Sequence, residues 1–253
     1  MLSTLPTYAK TSDIVTDSVG SELTAVIFDV DGVLLASPHE RAWREALEGL
    51  ADPRRFTTAI YQAAVAGKPR LSGALAALQA LGVPNAESLA AAYAVSKQNR
   101  LEELIRAGGV KAFPDALRFV QAVKMLGWPM AVASSSKNAN QMMGSVQMGG
   151  GKSLLDVFSA NDCGRELSRG KPSPEIFLLA AAALGVEPTR CFVAEDSPAG
   201  VEAARAGGMT ALGIARLGDA AGLQAAGADL VVTSLDDVAI DALERGRLRR
   251  RPI

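Results

Sequence analysis

Two aspartates, Asp29 and Asp31, follow a run of four apolar residues at positions 25–28. A short apolar run predicts a strand buried on both faces, and side chains two apart on a strand point to the same side. Both carboxylates should therefore project into one site beyond the strand end, where Gly32 permits a sharp turn. Two carboxylates this close repel unless a cation lies between them or one is protonated. The pair predicts a metal-assisted nucleophile beside a general acid/base, or simply a polar turn.

Polar side chains also follow two later apolar runs, at positions 130–133 and 191–194. They are three serines, an amide and two carboxylates: Ser134, Ser135, Ser136, Asn138, Glu195 and Asp196. Ligands of parallel sheets bind beyond the carboxyl ends of the strands, so these groups should meet Asp29. Hydroxyls and N–H groups at a helix start can hold a phosphate, although capping of the next helix is an equal alternative for Ser135 and Ser136.

The acidic pair Glu195 and Asp196 indicates an oxygen-only site that suits Mg²⁺ far better than zinc. These carboxylates are not needed to cap the next helix, because Ser197 followed by Pro198 can do so. Lys171 stands in a proline-fixed loop just before another helix. A lone lysine is usually solvated. Beside the carboxylates, however, Lys171 could supply the positive charge that is needed to neutralise a nucleophile and phosphoryl oxygens.

Strands and helices alternate from about residue 114, which predicts an α/β, Rossmann-like, doubly wound parallel sheet. The strands of this sheet are expected near residues 25–28, 130–133, 157–158, 191–194, 211–214 and 230–232. Only helices are expected between the first two strands, near 53–66, 72–81 and 88–107, after a first helix that starts at His39.

This pattern divides the chain into three parts. Residues 1–20 are polar and rich in Ser and Thr, and we expect a flexible N-terminal arm. Residues 21–36 and 112–253 should form the α/β core domain, and residues 37–111 an inserted all-helical domain. The connections at about 35–38 and 108–114 are the expected hinges.

Composition limits the partners. The chain has 253 residues, 49% of them hydrophobic, and a formal net charge of -1, which gives no reason to expect nucleic acid. No apolar run is long enough to cross a membrane, and nothing resembles a signal peptide. Two cysteines without metal-binding spacing fit a reducing compartment, so we expect a cytoplasmic protein. We also expect a monomer or weak dimer.

Four motifs, in order, resemble those of the haloacid dehalogenase superfamily: residues 29–33, Ser134, Lys171 and the pair Glu195 and Asp196. The resemblance extends from about residue 23 to the C-terminus. It implies that the helical insert is the superfamily's cap domain. Dehalogenating and phosphonate-cleaving members lack an aspartate at the position of Asp31, so the implied chemistry is phosphoryl transfer.

The resemblance also implies a role for each motif. Asp29 is expected to be the nucleophile that becomes an aspartyl phosphate. Asp31 is expected to be the general acid/base, and its main-chain carbonyl to help bind Mg²⁺. Ser134 and Lys171 are expected to hold the transferring phosphoryl group. Two carboxylates complete the implied metal site, Glu195 and Asp196.

Within the superfamily the chain most resembles the beta-phosphoglucomutase group. That likeness implies seven substrate-binding residues: His39, Trp43, Arg70, Lys97, Ser135, Ser136 and Asn138. Arg70 is expected to grip a non-reacting phosphate and Lys97 to contact the sugar. His39, at the start of a helix, could instead partner neighbouring backbone. Two segments depart from the group: the connection from Asp31 to His39 is two residues shorter, and residues 144–168 are longer.

We therefore expect Mg²⁺-dependent phosphoryl transfer to or from a small phosphorylated metabolite. Hydrolysis of a sugar phosphate is the first hypothesis, and a beta-phosphoglucomutase-type sugar phosphomutase is the alternative. A catalytically inactive binding module is a remote third, since no catalytic or metal-binding carboxylate is missing.

Overall fold

The computed structural model describes residues 22–252, so the predicted N-terminal arm lies outside the described range. Ten strands occur in this range: β1 Ala25–Phe28, β2 Leu35–Ala36, β3 Lys111–Ala112, β4 Met130–Val132, β5 Gln147–Gly149, β6 Lys152–Ser153, β7 Ala160–Asn161, β8 Cys191–Glu195, β9 Thr210–Ile214 and β10 Leu230–Val232. The α-helices of the same range are α1 His39–Glu45, α2 Thr58–Ile60, α3 Arg70–Ala80, α4 Ala86–Arg106, α5 Pro114–Met125, α6 Ala139–Gly144, α7 Glu175–Leu184, α8 Pro198–Ala206, α9 Ala220–Ala225 and α10 Ile240–Leu243.

Six strands form one parallel sheet in the order β10-β9-β8-β1-β4-β7. Strand β1 lies at its centre, with β8 on one side and β4 on the other. Because parallel strands end at the same edge, the residues that follow β1, β4 and β8 are brought together there. This is the arrangement that the polar strand ends predicted.

Alternate residues of β1 enter two different cores, because successive side chains on a strand point to opposite faces. Val26 and Phe28 pack with Phe119 of α5 in one apolar cluster. Ala25 and Ile27 pack with helices α7 and α8 in another. The sheet is therefore covered by helices on both faces, and the predicted α/β doubly wound fold is confirmed.

Helices α1 to α4 form an insert between β2 and β3 with an apolar cluster of its own. Trp43 of α1 lies against Tyr93 of α4, with ring centroids 5.2 Å apart. The hydroxyl of Tyr93 donates a hydrogen bond of 2.7 Å to the main-chain oxygen of Trp43. This buried polar contact fixes α1 on α4, and α1 carries His39 toward the sheet.

The two connections between insert and core pair with each other. Strand β2 runs antiparallel to β3, with Leu35 opposite Ala112. The sequence did not indicate this pairing, because two-residue strands are too short to show an alternating pattern. It ties both connections into one short ribbon.

Two predicted elements differ from the structure. The strand expected at 157–158 is wrong: a 3-10 turn spans Leu155–Val157, and β7 begins at Ala160. The helix expected at 53–66 is broken into a 3-10 turn, the short α2 and a π-helical segment, Tyr61–Val65. Within residues 22–252, no helix is long and apolar enough to cross a membrane.

Candidate active site

Lys171 lies between two carboxylates at the edge of the sheet. Its Nζ is 2.8 Å from Asp29 Oδ1 and also donates to Glu195 Oε1. The second oxygen of Glu195 accepts hydrogen bonds of 2.8 Å and 2.9 Å from the amide and hydroxyl of Ser197. Ser197 also caps α8 by accepting from Gly200, as predicted. Lys171 is thus held by groups at the ends of β1 and β8.

Burial dominates the electrostatics of this cluster. It raises the pKa of Asp29 to about 7, although the Lys171 cation opposes the shift. Burial also lowers the pKa of Lys171, but Asp29 and Glu195 together outweigh it and hold that pKa above its usual value. Burial, reinforced by Glu195 and Asp29, raises the pKa of Asp196. One lysine does not balance the three carboxyl groups of Asp29, Glu195 and Asp196, and a further cation would favour their ionised forms.

Asp196 lies directly against the backbone next to Asp31. Gly32 has φ +78°, and a Cβ at this position would overlap the Asp196 carboxyl group. One oxygen of Asp31, Oδ1, is buried without a hydrogen-bond partner among residues 22–252. Several oxygen atoms thus lie close together here, and one of them is a carboxylate oxygen without a hydrogen-bond partner. Mg²⁺ prefers such oxygen ligands. No three acidic, histidine or cysteine side chains of the described chain are grouped to hold a metal directly, so any such site must use main-chain oxygen as well.

The serine-rich segment after β4 makes a turn against the site. Ser134 Oγ accepts a 3.2 Å hydrogen bond from the amide of Ser136, and Ser136 Oγ accepts a 3.3 Å bond from the amide of Asn138. Helix α6 has Asn138 at its N-cap position and no side-chain cap. Neither Ser135 nor Ser136 occupies the N-cap position of α6, although Ser136 bonds the amide of the N-cap residue. The hydroxyl of Ser135 instead donates 3.2 Å to Gly67 of the insert.

His39 bridges the insert and the core. Its Nε2 is 3.2 Å from Ser136 Oγ and 3.4 Å from Asp31 Oδ2, and Lys97 Nζ is 2.8 Å from its Nδ1. Burial, helped by the Lys97 and Arg70 cations, lowers the pKa of His39 to about 4. A neutral ring that accepts from Lys97 carries its proton on Nε2, toward Asp31. His39 thus lies among side chains of the site.

Lys97 is buried in the insert beside two of these groups. Its Nζ lies 4.9 Å above the centre of the Trp43 ring. Burial, with a contribution from Arg70, lowers the pKa of Lys97 to about 7. Lys97 is therefore a cation that gains or loses its charge near neutral pH.

The loop after the π-helical segment docks on the core. Gly67 has φ +75°, and a Cβ there would lie 2.6 Å from Ser197 Oγ. Pro69 packs against Gly170, where a Cβ would overlap it. On the other side, Gln98 and Asn138 exchange hydrogen bonds of 3.2 Å and 3.4 Å between insert and core. The insert is therefore closed over the carboxylates.

A cavity of about 760 Å³ lies between insert and core, with Asp29, Asp31, Ser134 and Asp196 in its wall. Five basic residues also line it: Lys68, Arg70, Lys97, Lys137 and Arg165. Its remaining wall is partly apolar and includes Trp43. A polar reactive end, basic walls and an apolar face suit a small anionic molecule. The structure brings all the predicted site residues to this region, Lys171 and Glu195 lying beneath Asp29.

Tyr61 is a wall residue that the sequence did not single out. It lines the cavity together with Asp31 and Asp196. Burial, with the nearby carboxyl group of Asp196, raises its pKa well above the usual value. π-helical segments occur often at functional sites, but the helical period expected at 53–66 gave no sign of this one.

A sequence model described as haloacid dehalogenase-like hydrolase matches residues 23–208. The chain therefore belongs to the haloacid dehalogenase-like hydrolase family, and it is an enzyme. Within that family it falls in the beta-phosphoglucomutase-like group, as its relatives show. The remote hypothesis of an inactive binding module is thereby set aside.

The beta-phosphoglucomutase of Mycobacterium tuberculosis is 32% identical over 242 residues, with 86% of this chain and 92% of that protein covered. The fructose-1-phosphate phosphatase of Escherichia coli is 31% identical over 195 residues, covering 75% and 95%. Among solved structures, an archaeal beta-phosphoglucomutase from Pyrococcus sp. superposes with a TM-score of 0.68 at 30% identity, covering 87% of this chain and 96% of that one.

Proposed function

We propose that the protein hydrolyses a small sugar phosphate through an aspartyl phosphate on Asp29, with Mg²⁺ as its cofactor. The observation that carries the proposal is the placement of Asp29. One of its oxygens is bound to buried Lys171, and the residue opens onto a cavity lined by basic side chains. A carboxylate so placed can attack phosphorus while cations stabilise the transferring oxygens.

The residues proposed to hold Mg²⁺ are Asp29 and Asp196 through their side chains and Asp31 through its main-chain carbonyl. Both carboxylate oxygens of Glu195 already accept hydrogen bonds, one from Lys171 and the other from Ser197. We therefore propose that Glu195 does not contact Mg²⁺ directly but contributes negative charge close to it. When bound, Mg²⁺ would neutralise carboxylate and phosphoryl oxygens and favour the ionised form of Asp29.

In the first step, an oxygen of Asp29 attacks phosphorus and the ester P–O bond breaks. Asp31 gives its proton to the leaving sugar oxygen. Ser134 and Lys171 donate hydrogen bonds to the phosphoryl oxygens. In the second step, Asp31 takes a proton from water as that water attacks phosphorus, and the bond from phosphorus to Asp29 breaks. Inorganic phosphate leaves and Asp29 returns as a carboxylate.

The helical insert is proposed to act as the cap, with the predicted boundaries 37–111, and the β2–β3 ribbon as its hinge. Its contacts with the core include the hydrogen bonds of His39 with Ser136 and of Ser135 with Gly67. Such contacts can break and reform as substrate enters and product leaves. Closure would exclude bulk water and bring His39 to Asp31.

A sugar phosphomutase remains the second candidate, and the basic lining favours it. Arg70 and Lys68 lie on the docked loop and line the cavity, where they suit a second anionic group on the substrate. A bisphosphate could then be gripped at both ends, and the phosphoryl group returned to a sugar hydroxyl instead of water. Relatives of both kinds, named as beta-phosphoglucomutase and as fructose-1-phosphate phosphatase, are consistent with either outcome.

The test is phosphate release with Mg²⁺ from a panel of sugar phosphates that includes beta-glucose 1-phosphate, with Asp29→Asn as the blank. Glucose 6-phosphate is followed in parallel, with and without a bisphosphate primer. Free phosphate without isomerised sugar supports hydrolysis. Glucose 6-phosphate that forms faster than free phosphate, and needs the primer, identifies a mutase. Equal turnover by Asp29→Asn would overturn both.

A further inference from the structure

Two large apolar side chains of the insert are exposed on the wall of the substrate cavity. Leu71, in the first turn of α3, and Val95, in the middle of α4, are each 59% exposed. Both line the cavity that contains Asp29. Neither belongs to the apolar cluster of the insert, so packing within the insert does not explain them.

Helices α3 and α4 hold these two side chains at the same level of the insert. Residues 81–85 join the helices by a short connection, and two packed helices joined in this way run antiparallel. Leu71 lies as far before the end of α3 as Val95 lies after the start of α4. Ala91 lies one turn before Val95 and also lines the cavity. We call these three residues the apolar mouth.

The apolar mouth lies on the side of α4 that faces the core. Ala91, Val95 and Gln98 are three or four residues apart, and such residues share one side of a helix. Gln98 exchanges hydrogen bonds with Asn138 of the core, which fixes the direction of that side. All four residues line the cavity. Because the apolar mouth is exposed to solvent and also lines the cavity, it forms part of the cavity rim.

Ordinary surface exposure does not explain the apolar mouth. Single exposed apolar side chains are common on proteins. Two of them at one level on the rim of a ligand cavity are different, because one apolar group could remove both from water. Helix propensity gives no reason for Val95 either, since a β-branched residue is a weaker helix former than lysine, arginine or glutamate. The apolar mouth therefore indicates contact with an apolar group that enters the cavity.

The cavity runs from Asp29, which is only 5% exposed, to the exposed apolar mouth. Its volume of about 760 Å³ falls in the upper part of the range of about 300–1,000 Å³ for sites that hold drug-sized ligands. The inference rests on the proposed function, which puts the phosphate at Asp29. We propose that the apolar mouth binds an alkyl or aryl group that the substrate carries away from its phosphate. The substrate class is then a phosphate monoester of a sugar with an apolar aglycone.

Alkylphosphonates test the two ends of the cavity separately, because a C–P bond has no ester oxygen to protonate and survives the proposed mechanism. Ethylphosphonate probes the phosphate end alone, and octylphosphonate adds a chain that can reach the apolar mouth. Burial of each methylene group is worth about fourfold in affinity, so octylphosphonate is expected to bind the full chain with Mg²⁺ at least about tenfold more tightly in calorimetric titration.

The variants Leu71→Gln and Val95→Thr replace apolar groups by polar groups of similar size. Each should lower the ratio of the two affinities about threefold or more. Leu178→Gln is the matched control, because Leu178 is a partly exposed leucine on α7 that does not line the cavity. This variant should keep the wild-type ratio. Thermal unfolding of each variant checks that it is folded.

Equal affinities of the two phosphonates would overturn this proposal and leave the proposed phosphate site intact. So would a ratio that is unchanged in Leu71→Gln and Val95→Thr, or one that falls equally in Leu178→Gln. A wild-type dimer in sedimentation that both variants dissociate, with the ratio unchanged, would assign the apolar mouth to a second copy of the chain and overturn the proposal. Failure of ethylphosphonate to bind would contradict the proposed function itself, and this inference with it.

Discussion

At Gly32, two requirements meet on one residue. Its φ of +78° lies in a region that side chains disfavour, and the space a Cβ would take is filled by the carboxyl group of Asp196. The residue lets the backbone turn after Asp31 and lets an acidic side chain approach that backbone. Both proposed Mg²⁺ contacts at this point therefore depend on the absence of a side chain.

Gly32→Ala is expected to raise the Mg²⁺ concentration needed for half-maximal phosphate release by at least about tenfold, because the new methyl group displaces Asp196. Backbone strain alone should cost about 1 kcal/mol of stability. Gly127→Ala is the matched control, since Gly127 has φ +74° and open space around it. It should lose similar stability and keep the wild-type Mg²⁺ dependence. Identical Mg²⁺ curves for the two variants would contradict the role given to Asp196.

The acidic residues and Lys171 could be found from sequence because each lies at a strand end or in a proline-fixed loop, and strand ends of a parallel sheet converge. Tyr61 and Gln62 could not. Both residues lie on a π-helical segment. Its sequence has no regular apolar repeat from which the positions of these side chains could be predicted. Likewise, the sequence could not predict the hydrogen bond from the Ser197 hydroxyl to Glu195. Two residues that are close in sequence need not point their side chains toward each other, and only the folded turn shows that these do.

Lys97 gives a pH dependence whose sign is fixed. Its pKa is lowered to about 7 in the folded chain by burial, while the unfolded chain keeps the ordinary value, 10.5. Between these values unfolding takes up a proton, so this contribution to stability is complete above the higher value and is lost as pH falls through 7. Wild type should therefore lose about 2 kcal/mol relative to Lys97→Met between pH 9 and pH 7.

Denaturant unfolding of both proteins at the two pH values measures that difference. Lys124→Met, at an exposed position on α5, is the control and should follow wild type at both pH values. A stability difference between wild type and Lys97→Met that does not change with pH would show that Lys97 keeps its proton in the folded chain.

At the scale of elements, the segment from Tyr61 to Arg70 is the part of the insert that reaches the core. The π-helical turn leads into Gly67, which accepts from Ser135, and Pro69 packs on Gly170 beside Lys171. Arg70 then begins α3 with its side chain lining the substrate cavity. Docking of this one loop therefore couples closure to the placement of a cation over the substrate.

Arg70→Ala is expected to raise KM about tenfold to a hundredfold for substrates with a second, remote phosphate, because a charge-assisted hydrogen bond is lost. The KM for monophosphates without a remote anion should change little. Arg106→Ala, at the exposed end of α4, controls for loss of a positive charge on the insert. The same increase in KM for every substrate would remove Arg70 from the proposed role.

The elements themselves were predictable to different degrees. Strands β1, β4, β8 and β9 are apolar runs with clear ends, and the sequence located them. Strand β7 is an edge strand of only two residues. The strand was predicted at residues 157–158 instead, because these residues just before it are more apolar. The β2–β3 ribbon arises only when the two connections meet in space.

At the scale of the molecule, the closed insert places one wall between two cavities. Asp31, Tyr61 and Asp196 line both the basic substrate cavity and a second cavity, of about 300 Å³, where the insert joins the core. The substrate side, with its basic lining, suits phosphoryl oxygens. The three-layer core fixes this wall, because its acidic members follow the central strands β1 and β8.

The most direct test of the central claim is to look for the phosphoryl group on Asp29. The enzyme is mixed with Mg²⁺ and its best substrate from the panel, quenched in acid within milliseconds, and examined by intact mass and peptide mapping. We predict one added phosphoryl group, located on Asp29, labile to hydroxylamine and absent from Asp29→Asn. Turnover with no phosphorylated enzyme, or with the group on another residue such as His39, would contradict the mechanism.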